Sequence, residues 1–314
     1  MATCEFERLF ARRLPHIYEK IFFSLDYNSF KQCLEVCRSW NDLLTSSSFK
    51  KRGKSIFFEA IHRELQTAIV DGKTEEVRRV ISGGMVDLNN PTAFYNAVWF
   101  GHLEVVRLLL DRGAEPNMAH QNGWTPLQDA AWRGHLDMVQ LLLDRGAEPN
   151  VARENGWTPL HDGAWNGHLD VVQLLLDRGA EPNVARQNVL TPLHVVALKG
   201  HLDVVQILLD RGAEPNVSRQ NGSTPLNDAA WKGHLDVVQL LLDRGAEPNT
   251  ARQDGFTPLH IAVCSGHVDV VQLLLDKGAE PNVADQNGRT PLSWALQNGL
   301  TDIAKILTEN GGTE

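Results

Sequence analysis

One stripe of apolar positions returns along most of the chain. In Leu169-Asp170-Val171-Val172-Gln173-Leu174-Leu175-Leu176-Asp177, the residues Val171, Val172, Leu174, Leu175 and Leu176 fall on one side of a helix, with Asp170 in its first turn. Just before it, Thr158-Pro159-Leu160-His161 opens a shorter apolar pattern through Leu160 and Ala164. Thr158 predicts an N-cap, Pro159 the first helical position, and Asn166-Gly167 the stop. Gly179 ends the second helix, and Pro182 forces an extended exit toward a polar tip at Asn188.

The pair of helices is one copy of a unit. Its leading glycines are Gly101, Gly134, Gly167, Gly200, Gly233, Gly266 and Gly299, spaced by 33 residues, and the Thr-Pro pairs at Thr125, Thr158, Thr191, Thr224, Thr257 and Thr290 keep the same register. A fixed period of this size predicts a stack of identical supersecondary units. Neither helix can bury its apolar face alone, but neighbours can. Each Leu or Val buried between copies contributes ~1.5–3 kcal/mol. A worn copy over Gln66–Ile81 places Gly72 only 29 residues before Gly101, which brings the count to eight. In the last copy Leu300 replaces the histidine that follows each earlier glycine, and Lys305, Thr308 and Glu309 make a polar outer face, as expected of a cap.

The elements Gly-x-Thr-Pro-Leu-His, Ala-Ala-x-x-Gly-His and Leu-Leu-x-x-Gly-Ala resemble ankyrin repeats over residues 59–312. That resemblance implies helix pairs joined by β-hairpin tips. It also implies that the tips and short first helices bind a protein partner.

Residues 1–58 do not share the period. Ile17, Ile21, Phe22 and Leu25 lie on one helical face, Asp26–Ser29 reads as a turn, and Phe30, Cys33, Leu34, Cys37, Trp40 and Leu44 continue at helical spacing. Two or three short helices in about forty residues enclose little interior, so an apolar face remains for a partner to cover. The landmarks Leu14-Pro15, Ile21-Phe22, Leu25-Asp26, Val36-Cys37-Arg38-Ser39-Trp40 and Leu43-Leu44 resemble an F-box motif. The resemblance implies that Leu14, Pro15, Ile21, Phe22, Leu25, Val36, Cys37, Trp40 and Leu43 dock on a Skp-type adaptor and, through it, a cullin–RING ubiquitin ligase. The expected fold is all-α: an F-box-like unit over 10–50, a linker over 51–60 and a repeat domain over 61–314.

Composition narrows the classes. The 314 residues are 42% hydrophobic and 22% charged, with a formal charge of −9. That balance argues against nucleic acid as the main partner. The charge is uneven: residues 1–58 carry 10 basic and 6 acidic side chains, the remainder 20 and 33. Lys50-Lys51-Arg52-Gly53-Lys54 reads as a solvated linker, with nuclear import as the alternative. Cys4, Cys33, Cys37 and Cys264 lack both disulfide-framework and metal spacing. No apolar run is long enough to span a bilayer, and Met1–Arg13 has no signal-peptide core. The expected location is cytoplasm or nucleus.

Catalytic chemistry finds no support. His102, His135, His168, His201, His234 and His267 are strictly periodic, and His161, His194 and His260 form a second series. One active site does not need six copies of its base, and the resemblance to ankyrin repeats implies that these histidines hold loops by hydrogen bonds. No metalloprotease, phosphate-loop or nucleophile-elbow motif occurs. The Asp-Arg-Gly triplets read as helix ends. No cofactor or metal is expected.

Recognition should lie where the copies differ. The helix-end position reads Trp99, Trp132, Trp165, Leu198, Trp231, Cys264, and the tip position before Thr-Pro reads Trp124, Trp157, Leu190, Ser223, Phe256, Arg289. Six of the eight tryptophans fall in these two rows, which makes an aromatic stripe. Arg133, Lys199 and Lys232 sit beside it. Arg153, Arg186, Arg219 and Arg252 form a row at the tips, near Asp129, Asp162 and Asp228. Arginine beside tryptophan predicts a peptide with acidic and aromatic or proline anchors; a solvated charged edge is the alternative. One repeat departs: Val189 stands where Gly123, Gly156, Gly222, Gly255 and Gly288 stand in siblings, and Leu190, Val195, Val196 and Leu198 make it unusually apolar. The partner's centre is expected there.

Together the two resemblances imply the substrate-recognition subunit of a Skp–cullin–F-box ligase, with an unidentified target on the ankyrin face. The alternatives are an interaction scaffold without a ligase link, or a pathogen effector that uses a host ligase.

Overall fold

The computed structural model describes residues 63–82, 91–120, 123–184 and 190–314. The residues expected to dock an adaptor, Leu14 to Leu43, the Lys50–Lys54 run, Arg186 and Val189 lie outside the described residues. Among the described residues there are sixteen helices and no strand. The chain divides into two compact units, at Glu115 and Pro116.

In the first unit, a helix over 63–70 packs beside Thr74–Ser82, and Pro91–Trp99 precedes Leu103–Asp111. The worn copy follows the same rules as its siblings. The His102 imidazole Nε2 donates to the Val70 carbonyl at 3.0 Å. Leu65, Ile69, Val77, Phe94, Ala97, Val105 and Leu109 fill the interior.

The second unit is built of copies in register. Short first helices run Pro126–Arg133, Pro159–Asn166, Pro192–Lys199, Pro225–Lys232, Pro258–Ser265 and Pro291–Gln297. Each is followed by a second helix: Leu136–Asp144, Leu169–Asp177, Leu202–Asp210, Leu235–Asp243, Val268–Asp276 and Thr301–Glu309. The starts are chemically defined. Thr191 and Thr257 accept the backbone N–H three residues on, proline occupies the first turn, and the third residue's side chain returns to the threonine N–H. The stops are glycines. Gly134 takes φ +72°, and a Cβ there would lie 2.6 Å from His168 Nδ1, so both backbone and neighbour demand glycine.

Three sets of bonds tie each copy to the next. The periodic histidines are the first. His168, His201, His234 and His267 donate Nε2–H to the carbonyls of Trp132, Trp165, Leu198 and Trp231 at 3.1–3.3 Å. The second set uses the other histidine series. His161 Nδ1 accepts the Thr158 N–H at 3.2 Å while its Nε2 donates to the Leu190 carbonyl at 2.9 Å. His194 and His260 reach Ser223 and Arg289 in the same way. Gln128 makes both bonds in its own copy, to Thr125 N–H and the Trp157 carbonyl. The third set is an asparagine ladder. Asn117, Asn150, Asn183, Asn216 and Asn249 each accept the N–H of a glutamate 31 residues ahead and donate to a glycine carbonyl 29 residues ahead.

The Asp-Arg-Gly triplets do more than end helices. Arg178, Arg211 and Arg244 reach back to Asp144, Asp177 and Asp210 of the preceding copy at 2.6–2.9 Å, and Lys277 reaches Asp243 at 2.7 Å. These pairs are solvent-facing, so each contributes at most ~1 kcal/mol. The expected hairpin tips are tight turns. Arg153 N–H bonds the Trp157 carbonyl and Gly156 N–H bonds Arg153, too few ladder bonds for a strand.

Candidate protein-binding face

The tips and the ends of the short first helices lie on one side of each copy, and the described members of both predicted rows gather there within the second unit. Trp124 meets Trp132 edge-on, with centroids 6.0 Å apart at 81°. In the next copy Trp157 and Trp165 sit 5.5 Å apart, and Trp157 also stacks on His161. The Arg153 guanidinium joins the two pairs, 3.8 Å above the Trp124 ring and 5.5 Å from Trp157. Lys199 places its Nζ 3.7 Å from the Trp165 ring. The result is a continuous row, Trp132, Trp124, Arg153, Trp157, Trp165, Lys199. Its four indoles are all half-exposed. Such contacts each contribute ~0.5–1 kcal/mol at exposed sites.

The row then stops. Leu190 and Leu198 are half-buried aliphatics, while Val195 and Val196 are buried. Trp231 is 52% exposed. The cause is its tip: Ser223, a small buried residue, stands where Trp124 and Trp157 cover their partners. The Lys232 Nζ lies over it, 4.0 Å from the ring centre. A second aromatic group follows, Phe256 against His260 and Trp294, with Arg289 3.8 Å above Trp294. Cys264 is exposed, and Arg133 lies on the surface beside Trp132. In the first unit, Trp99 stacks on Tyr95 at 5.7 Å.

Trp294 belongs to this face, although it stands in neither predicted row. It occupies the position four residues after Thr290, the register that Asp129, Asp162 and Asp228 hold in their copies. Its indole N–H donates to Asp285 at 3.0 Å. Burial alone would raise the Asp285 carboxyl, but N–H donors from Arg289, Trp294 and Asn287 outweigh it and hold it at about 2.

Two arginines of the tip row, Arg153 and Arg219, turn inward. Arg153 donates to the buried carboxylate of Asp162, and Arg219 to that of Asp228. Arg252 pairs with Asp254 at 2.8 Å and Arg289 with Asp285 at 3.1 Å. Arg153, Arg219 and Arg252, the described members of the predicted row, therefore already pair with carboxylates of their own chain, as does Arg289, which stands outside that row. The nine-residue spacing of Arg153 to Asp162 and Arg219 to Asp228 carried that signal in the sequence. Burial raises both aspartates, against the pull of their arginines. Asp129 departs from the pattern. It is fully buried, neither carboxylate oxygen has a hydrogen-bond partner, and burial with the nearby Asp162 pushes it up to about 8 against Arg153 and Arg133. The histidines beneath the tips move the other way. Burial lowers His161 to about 4, with Arg153 adding to it, and His194 to about 3.

Among the described residues no group of three or more His, Cys, Asp or Glu gathers as a metal set, and no helix is long and apolar enough to cross a membrane. The arrangement is a row of half-exposed rings held on a stack of helix pairs. A family model for ankyrin repeats (3 copies) matches residues 114–186, 182–252 and 244–314, and one for ankyrin repeats (many copies) matches residues 81–128. The chain belongs to the ankyrin-repeat family. Ankyrin repeats serve protein–protein interaction, which implies a partner protein. No curated protein matches the chain.

Proposed function

We propose that this chain is the substrate-recognition subunit of a Skp–cullin–F-box ubiquitin ligase, acting in the cytoplasm or nucleus. Residues 10–50 form the adaptor-docking module, 51–60 a linker and 61–314 the target-binding array. The observation that carries the reading is the ordered set Leu14-Pro15, Ile21-Phe22, Leu25, Val36-Cys37, Trp40 and Leu43 ahead of an ankyrin array with an aromatic face. In this reading Trp99, Trp124, Trp132, Arg133, Trp157, Trp165, Leu190, Leu198, Lys199, Trp231, Lys232 and Phe256 hold the target. The chain supplies proximity to the ubiquitin-loaded enzyme, and the transfer chemistry belongs to the ligase.

Binding of the purified chain to a Skp-family adaptor tests it, alongside a Leu25→Ala, Trp40→Ala double variant. Tight binding by the parent and loss in the variant is the expected result. A parent chain that does not bind the adaptor would leave an interaction scaffold without a ligase link.

A further inference from the structure

Two lysines at the ends of the short first helices differ from the arginines of the tips. Arg153, Arg219, Arg252 and Arg289 each pair with a carboxylate of the chain. Among the described residues neither Lys199 nor Lys232 has such a partner. Each lies on an indole instead, Lys199 on Trp165 and Lys232 on Trp231, and both are exposed. An indole attracts an ammonium without saturating its three N–H donors. The buried acids of these short helices, Asp162 and Asp228, are taken by Arg153 and Arg219.

Apolar surface lies between the two lysines. Leu198 holds the helix-end position between Trp165 and the exposed Trp231. The carbonyls of Trp165, Leu198 and Trp231 are held in turn by His201, His234 and His267 of the following copies. Three consecutive helix ends are thus fixed before a partner arrives, which lowers the cost of ordering them on binding.

We infer that Trp165, Leu198, Lys199, Trp231 and Lys232 form a docking surface for an acidic segment of the target protein, in which two carboxylates flank one apolar side chain. The lysines take the carboxylates, and the apolar side chain covers Leu198 and Trp231. An exposed tryptophan is the kind of residue on which binding energy concentrates. Lys199 and Lys232 stand one copy apart, at the ends of neighbouring short helices. Packed helices lie ~8–10 Å apart. An extended segment covers that span in about three residues. Acidic residues in the first and fourth places, with a large apolar residue between them, meet this geometry. The chain as a whole carries a formal charge of −9. Its remaining surface therefore repels such a segment, and the paired lysines on indoles attract it.

The inference rests on reading this face as the target-binding one, and it is independent of the adaptor. The test uses the full chain and two libraries of short peptides with random uncharged flanks, one centred on Glu-x-Leu-Glu and one on Gln-x-Leu-Gln. Binding is read by capture, and the Trp231 indole N–H resonance locates it. The acidic library should bind at least ~5-fold better and shift that resonance, and about 1 M salt should erase the difference. Lys199→Gln with Lys232→Gln should abolish the preference. Lys277→Gln with Lys305→Gln removes the same charge from side chains that pair with Asp243 and Glu309, and should leave it intact. Trp231→Ala should weaken both libraries. Equal binding of the two libraries, or a preference that survives loss of Lys199 and Lys232, overturns the inference while leaving the face as a binding surface. Binding of neither library, or binding that leaves the Trp231 resonance unmoved, overturns it as well. Adaptor binding, measured separately, is untouched by any of these outcomes.

Discussion

At the scale of the residue, buried titratable groups work in opposite directions. His161 is neutral in the fold, with a pKa of about 4 against an ordinary 6.5, because it is buried. As pH falls below about 6.5 the unfolded chain takes up the proton first, so stability is lost from there down to about pH 4. Gln128 already performs the same two bonds with no ionisable group. His161→Gln should therefore cost less than ~1 kcal/mol and remove part of the acid sensitivity. His161→Ala, which strands the Thr158 N–H and the Leu190 carbonyl, should cost ~2–3 kcal/mol. Thermal melts at about pH 5 and 7 separate the two variants. Asp129 has the opposite sign. Its folded pKa of about 8 lies above the usual 3.8. Between those values the folded chain holds the extra proton, so stability falls as pH rises through the window and stays lower above it. Asp129→Asn should change little at about pH 5 and stabilise by ~2 kcal/mol at about pH 9. A melt that is unaltered at high pH would mean the carboxyl is not desolvated.

At the scale of the element, each helix pair depends on what the next copy lends it. Asn227 occupies the histidine position but is too short. It accepts the Thr224 N–H, yet its Nδ2 has no partner, whereas Gln128 and His161 span to the next tip. Asn227→His should reach the Phe256 carbonyl and add ~1 kcal/mol, read by denaturant unfolding. The glycines divide likewise. Gly134 and Gly146 both have positive φ, but only Gly134 faces a histidine, while a Cβ at Gly146 meets nothing within 4 Å. Gly146→Ala should cost ~1 kcal/mol and Gly134→Ala ~3 kcal/mol, the difference being the His168 contact. Much of this was legible in the sequence. Thr-Pro starts, glycine stops and the 33-residue register fix the helices because capping is local chemistry. The aromatic rows were legible because substitutions stand out against identical copies. What stayed hidden depends on neighbours. Nothing local says that the Arg-Gly ends form a ladder or that Trp294 turns toward Phe256.

At the scale of the molecule, the second unit is a one-dimensional stack, and its stability is a sum over nearest neighbours. Leu208 is fully buried in a central copy. Leu208→Ala should cost ~2–5 kcal/mol and split a single unfolding transition into two, because the copies on either side lose their coupling. A single cooperative transition in the variant would show that coupling reaches past adjacent copies. The asparagine ladder adds a further consequence. Each rung reads positions 29 and 31 ahead, so a one-residue insertion inside a copy misaligns it. A whole copy is another matter. If residues 184–216 were lost, Asn183 would meet Gly245 and Glu247, the partners Asn216 holds now. The seam heals without a new bond being invented. Genes with near-identical internal copies gain and lose them by unequal exchange, and this ladder makes each product foldable. The backbone is free to change length in steps of one repeat, carrying its tryptophans along, so that lineages can lengthen or shorten what they recognise in a single event.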